Sequence, residues 1–215
     1  SDHFLSKGQF KKTSKSSPNS YAVLFCGGSN PDKNYLSFWN DCALTYQLLT
    51  DVYGLPKENI YVLMAGGPNN TKNVFSAKAK QYVDMRLDLD RDGKNDVSYS
   101  SKPQDVTNVF NLLKSKSANK QFENLFVYVT AHGICSGGEM TSWDGERIYA
   151  NNLANEIDKV NAKSISVVMN QCYSGSFIPA LSKNGTATNR TIITAVSPNE
   201  TGVVECGNSV YYLNC

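Results

Sequence analysis

Histidine is almost missing: His3 and His132 are the two in 215 residues, so chemistry that needs an imidazole must draw on one of them. No apolar run comes near the roughly 20 residues that cross a bilayer, so the chain carries no membrane span. Charge of one sign is lacking as well. Lys+Arg 21 against Asp+Glu 19 leaves a net charge of +2, and phosphate binding needs a concentrated basic face, which argues against nucleic acid as the main partner. Six cysteines are too few to hold a fold of this length together by disulfides. The first apolar run ends in Gly27-Gly28, with neither GxGxxG spacing nor a P-loop lysine, so a nucleotide-binding domain is poorly supported.

What is present is globular. Hydrophobic content of 40% and aromatic content of 11% exclude disorder, collagen and coiled coil, and the length fits one domain or at most two small ones. Residues 1–20 are polar, Ser/Lys-rich and without periodicity, and read as a tail ahead of a domain over 21–215. They contain no apolar stretch of the signal-peptide kind. Secretion or export is the favoured expectation, with any leader outside this sequence. Asn-X-Ser/Thr triplets begin at Asn69, Asn184, Asn189 and Asn199 and are glycan acceptors only in a eukaryotic secretory setting.

From Tyr21 onward apolar runs alternate with helical patterns. Strands are expected at Tyr21 to Cys26, Ile60 to Ala65, Leu125 to Ala131, Ile165 to Asn170 and Thr191 to Val196. Trp39, Ala43, Tyr46, Leu49 and Tyr53 repeat at helical spacing up to Gly54. A second helix carries Val106 to Leu113 with Asp105 as its cap, and a third carries Leu153, Ile157 and Val160. A hairpin is expected across Glu139 to Ile148, with Asp144-Gly145 at its turn. Uninterrupted apolar strands alternating with helices predict an α/β three-layer sandwich, a mostly parallel sheet flanked by helices, interrupted by a polar insertion over 66–103.

Ligands of such sheets bind at the carboxyl ends of the strands. His132-Gly133 follows one strand end, and Cys172 follows another with Ser174, Gly175 and Ser176 behind it. A cysteine beside an imidazole ionises below its free value of about 8.5, and the thiolate is the nucleophile. The histidine then protonates the leaving amine, while Gly133 and the backbone after Cys172 offer N–H groups to an oxyanion. Cys26 has no histidine near it in sequence, and Cys42 lies within a helix.

The order Cys26-Gly-Gly-Ser29-Asn30, Asn34-Tyr35, Tyr46-Gln-Leu-Leu49, Gly54 to Ile60, Val127 to Gly133 and Met169 to Ser176 resembles the legumain-type cysteine peptidases. These belong to the wider caspase-like group, in which one strand ends in His-Gly and a later one in Cys. The resemblance runs from Tyr21 to Pro198 and implies a caspase-like sheet. It implies Cys172 as nucleophile, His132 as general acid/base, Asn34 as the residue orienting the histidine ring and Gly133 as an oxyanion donor. The activity implied is a thiol endopeptidase working through a thioester acyl-enzyme on peptide or protein substrates. A transpeptidase or ligase of the same fold is the near alternative, and a non-catalytic calcium-dependent binding module the distant one.

The sequence departs from the family at three places. Leu36-Ser37 stands where legumains and the glycolipid-anchor transamidases have Arg-His, so an Asn or Asp preference is not inherited. Ala131 and Tyr173 replace acidic residues before His-Gly and after the cysteine. The sequence ends at Cys215, before the last strand and helix that such domains usually possess, and these are expected either to be absent or to come from a second chain produced by processing. The specificity pocket is expected between the loop with Ser29, Leu36 and Ser37 and the segment with Ser197 and Glu200. Asp32, Asp41 or Glu200 there would favour a basic side chain.

Asp88-Leu-Asp90-Arg-Asp92-Gly93-Lys94-Asn-Asp96 places carboxylates at positions one, three, five and nine, Gly at six and Lys94 at the carbonyl-donor position seven of an EF-hand loop. Position twelve is Tyr99 in place of glutamate, so Asp84 or Asp105 is expected to close the shell. The expectation is a structural Ca2+ ordering the insertion, with no catalytic role, since HExxH is absent.

Overall fold

Strand β1 (Ser20–Cys26) is buried on both faces, and its side chains divide between two cores. Ala22, Leu24 and Cys26 face one, and Val23 and Phe25 face the other, as the two-residue period of a strand requires. The computed structural model describes residues 4, 8, 10, 11, 17–76, 79–135, 137–183, 189–206 and 209–212, with those from 203 onward described as backbone alone.

Around β1 lie β2 (Ile60–Met64), β5 (Val97–Tyr99), β6 (Phe122–Thr130), β10 (Ala162–Met169) and β11 (Asn189–Thr194). They form a six-stranded sheet in the order β11-β10-β6-β1-β2-β5, with every pair parallel. Between β2 and β5 a hairpin of β3 (Val74–Ser76) and β4 (Gln81–Val83) leads into the acidic loop.

Helix α1 (Leu36–Gln47) covers one face through Leu36, Trp39, Cys42, Ala43 and Tyr46. It runs into a π-helical turn, Leu48–Val52, before Gly54 ends it at φ 65°. Helices α2 (Pro103–Asn119), α3 (Ala150–Asp158) and α4 (Ile178–Leu181) cover the other through Val106, Phe110, Leu113, Leu153, Ile157 and Leu181. The result is the three-layer α/β sandwich expected. Among the described residues no helix is long and apolar enough to cross a membrane.

Several local expectations are corrected. The insertion contributes β5, a sixth strand too short and too polar to show a period. Lys102 occupies the N-cap position of α2 without a side-chain capping bond, and Asp105 instead accepts hydrogen bonds from the N–H and hydroxyl of Ser100, at 2.8 and 2.5 Å. The expected hairpin is β8 (Glu139–Thr141) with β9 (Arg147–Tyr149), joined by β7 (Gly133–Ile134) on its other side. Its turn holds Asp144 and Gly145 at φ 64° and 74°. Near the amino end, Phe4 meets Trp39 of α1 edge-on with ring centroids 4.7 Å apart. At the carboxyl end β12 (Val203–Cys206) pairs with β13 (Ser209–Tyr212).

From β1 the chain moves outward to β2 and β5, then returns through α2 to β6 on the opposite side and continues to β10 and β11. The connections leaving β1 and β6 therefore diverge, which opens a crevice at the carboxyl ends of these neighbours. His132 and Cys172 follow β6 and β10 at that edge.

Candidate active site

Beyond β6 the chain turns at Ala131, and His132 is 5% exposed. Its ring stands edge-on to Tyr35 and Phe38, with centroids 5.1 and 5.0 Å away and both planes at 87°. Nε2 lies 2.9 Å from the Lys33 carbonyl oxygen. A carbonyl only accepts, so in the neutral ring Nε2 carries the proton and Nδ1 is left as the basic atom. Burial lowers the pKa of this imidazole from its ordinary value, and the Lys33 carbonyl offsets part of that effect. At neutral pH the histidine is therefore an uncharged base.

That shift has a stability consequence. Below about pH 6.5 the unfolded chain binds a proton that the folded protein resists, so His132 lowers stability as pH falls, by at most about 1.4 kcal/mol per pH unit. Above that value both states are neutral and the contribution is flat. Urea midpoints measured without reductant from pH 7.5 to 5 are expected to fall more steeply for the wild type than for His132→Gln. Parallel curves would refute the assignment.

After β10, the Asn170 N–H extends the ladder to the Val129 carbonyl at 2.7 Å. Cys172 follows, 1% exposed, with the Gly202 N–H donating to its Sγ at 3.1 Å. Its sulfur is held in a disulfide, whereas Cys26, Cys42 and Cys135 are free thiols. Tyr173 takes a left-handed φ of 56°, and its N–H donates to the Glu200 carbonyl at 2.8 Å. The Gly175 N–H donates to the Val196 carbonyl at 3.0 Å, and a Cβ at Gly175 would meet Pro198 at 2.8 Å. The segment after β11 is thus clamped on the turn that carries Cys172.

The two chemistry-bearing segments touch at one point. A Cβ on Gly133 would overlap the Cys172 carbonyl oxygen and lie 2.7 Å from its carbon. Only glycine permits this approach, so the His132-Gly133 turn and the Cys172 turn pack backbone to backbone.

Asn34 does not reach the histidine. Its Oδ1 accepts from the Gly28 N–H at 3.1 Å, and its Nδ2 donates to the Asn73 carbonyl at 2.8 Å. The Lys33 carbonyl takes the orienting place instead, pressed against Gly28, where a Cβ would overlap its oxygen. Asn34 is 3% exposed, so removing its amide leaves two backbone groups without their partner. Asn34→Ala is expected to cost about 2–4 kcal/mol, read as a lowered Tm, with the slope of stability against pH unchanged. A changed pH slope would restore it to the histidine.

The substrate-pocket candidates divide. Leu36 is packed into the α1 core, which removes it from an open pocket. Ser29 gives its carbonyl to the Gly145 N–H at 3.2 Å, Ser37 is half-buried in the first turn of α1, and Ser197 and Glu200 are exposed. Glu200 turns back to the Ser197 N–H at 3.1 Å. Asp32 is held by the Tyr82 hydroxyl, and Asp41 accepts from Thr130 and Asn170 at 3.3 and 3.4 Å. Features that sequence reasoning missed are the Lys33 carbonyl, the Tyr35 and Phe38 rings, and Gln171, buried next to Cys172 with neither amide atom hydrogen-bonded. Tyr35 and Phe38, three apart at a helix start, were the only available signal.

In the acidic loop a carboxylate oxygen from each of Asp88, Asp90 and Asp96 lies within 4.8 Å of the others. Asp92 is drawn off to the Lys57 ammonium at 2.8 Å, and its other oxygen accepts the Lys94 N–H at 2.9 Å. Neither proposed closing residue arrives: Asp84 accepts from the Lys72 N–H and Asp105 from Ser100.

A parallel sheet between two helical layers, with histidine and cysteine turns packed together at its carboxyl edge, defines an α/β domain of the caspase-like kind. The sequence model of the Peptidase C13 family matches residues 20–211. The chain belongs to that family, the legumain-type cysteine peptidases. No curated protein matches it.

Proposed function

We propose that the protein is a cysteine endopeptidase in which Cys172 and His132 form the catalytic pair. The observation that carries this is the contact of Gly133 with the Cys172 carbonyl, which no residue with a side chain would permit. The disulfide at Cys172 must first be reduced, since only a thiolate attacks. Nδ1 of His132 takes the thiol proton, and the sulfur adds to the scissile carbonyl. The Gly133 N–H is the donor for the oxyanion, since the N–H groups of Tyr173, Gly175 and Ser176 are already given to the Glu200, Val196 and Tyr173 carbonyls. Collapse breaks the C–N bond as the imidazolium returns its proton to the amine, leaving a thioester. Water, deprotonated by the same nitrogen, then releases the carboxylic acid and regenerates the thiol.

The disulfide is the one observation that favours a non-catalytic domain instead. Labelling with a peptidyl electrophile decides between them, with the exposed thiol of Cys135 as internal reference. Cys172 is expected to label faster than Cys135 after reduction and not before it. Labelling of reduced Cys172 no faster than Cys135, or unaffected by His132→Ala, would overturn the proposal.

A further inference from the structure

The acidic loop is built around a charge it does not itself supply. Asp88 accepts the N–H groups of Asp92 and Gly93 at 3.2 and 2.8 Å, and Asp96 accepts the Leu89 N–H and the Tyr46 hydroxyl, both at 2.7 Å. These bonds engage both oxygens of each carboxylate and hold the two in place, with one oxygen from each of Asp88, Asp90 and Asp96 within 4.8 Å of the others. The independent observation lies at the centre. Asp90 is 6% exposed, its Oδ2 meets the Lys57 ammonium at 2.5 Å, and its Oδ1 is buried without any hydrogen-bond partner. A buried carboxylate oxygen left unpaired is costly unless something completes it. A cavity of about 570 Å³ lined by Tyr46, Lys57, Tyr61, Lys94, Asp96 and Tyr99 opens beside the loop.

We infer that this loop is a binding site for a hard divalent cation of calcium size, formed by Asp88, Asp90 and Asp96 and competed for by the Lys57 ammonium. The three carboxylates supply oxygen donors of the kind Ca2+ prefers, and Oδ1 of Asp90 is the lone pair awaiting it. Displacing Lys57 frees Asp92, which shares the same ammonium, as a further donor. A bidentate glutamate at position twelve is replaced by Tyr99, so affinity falls in the weak range, Kd about 10⁻⁴ to 10⁻³ M. Mg2+ demands tighter octahedral geometry and binds less well. The bound ion would fix the loop to α1, because Trp39 donates to the Arg86 carbonyl and Gln47 to the Leu89 carbonyl, each at 2.8 Å. The site stands apart from the peptidase chemistry and does not depend on it.

Isothermal titration of the whole chain with CaCl2, and separately with MgCl2, tests this. Saturable one-to-one Ca2+ binding is expected. Tm should rise by about 5–10 °C at a hundredfold excess over Kd. Asp90→Asn should weaken binding about tenfold or more, and Lys57→Met should tighten it by removing the competing ammonium. No saturable Ca2+ binding up to roughly 5 mM, or binding unchanged in Asp90→Asn, overturns the site. Should Asp90→Asn not fold, the Lys57 arm decides: unchanged or weaker Ca2+ binding in Lys57→Met overturns the inference.

Discussion

With the Cys172 disulfide reduced, Cys172→Ala is expected to lower kcat/KM on a peptide substrate by about 10⁴-fold or more. The loss is this large because the sulfur makes the bond that defines the reaction. His132→Ala should lose nearly as much, since the thiol is then neither deprotonated nor matched to a proton donor for the leaving amine. The two losses should not add. Once either partner is gone, the other has nothing to act on, so the double variant is expected to match the worse single one. Wild-type protein kept oxidised should behave like Cys172→Ala, and dithiothreitol should restore the wild type but not the variant. Cys135 is free and exposed, so a general thiol effect of reductant would persist in Cys172→Ala. Activity in Cys172→Ala that matches wild type, or additive losses in the double variant, would remove the pair from the chemistry.

How much of this was legible depends on where each interaction is written. β1, β2 and the second half of β6 are buried on both faces, so runs such as Leu125 to Ala131 announced a sheet covered on both sides. Val97–Tyr99 did not, because at an edge only Val97 of the three is buried. The positions of His132 and Cys172 were legible as strand ends followed by small residues, a local pattern. What holds the histidine was not, since it is a backbone carbonyl at Lys33, and any residue there has one. Asn34 misled for a related reason. Its commitment to the Asn73 carbonyl spans 39 residues, and no local spacing encodes it. The acidic loop was legible as carboxylates at alternate positions, but Lys57, which draws off Asp92, comes from 35 residues away. Side-chain chemistry at short range was readable, whereas backbone acceptors and distant partners needed the fold.

Gly133→Ala is the second change expected to have a large effect, and it touches neither reacting side chain. Its new methyl group would overlap the Cys172 carbonyl, which cannot turn aside easily because the Tyr173 and Gly175 N–H groups tie this turn to the Glu200 and Val196 carbonyls. The His132 side is held as firmly, by the Thr141 N–H donating to its carbonyl at 2.9 Å. Relief requires the two turns to part. Overpacking of this kind costs about 1–3 kcal/mol of stability, and a displacement of about 1 Å at a reacting centre costs on the order of 10²-fold in rate. The expected result is therefore a modest fall in Tm with kcat reduced about 10²-fold or more. Gly145→Ala separates the two effects. Gly145 has φ 74° with nothing within 4 Å of a Cβ, so alanine there strains the hairpin tip without crowding the site. It should lower Tm comparably and leave kcat unchanged. If Gly133→Ala keeps wild-type kcat, the packed contact between the two turns does not position the pair, and the proposed chemistry loses its structural support.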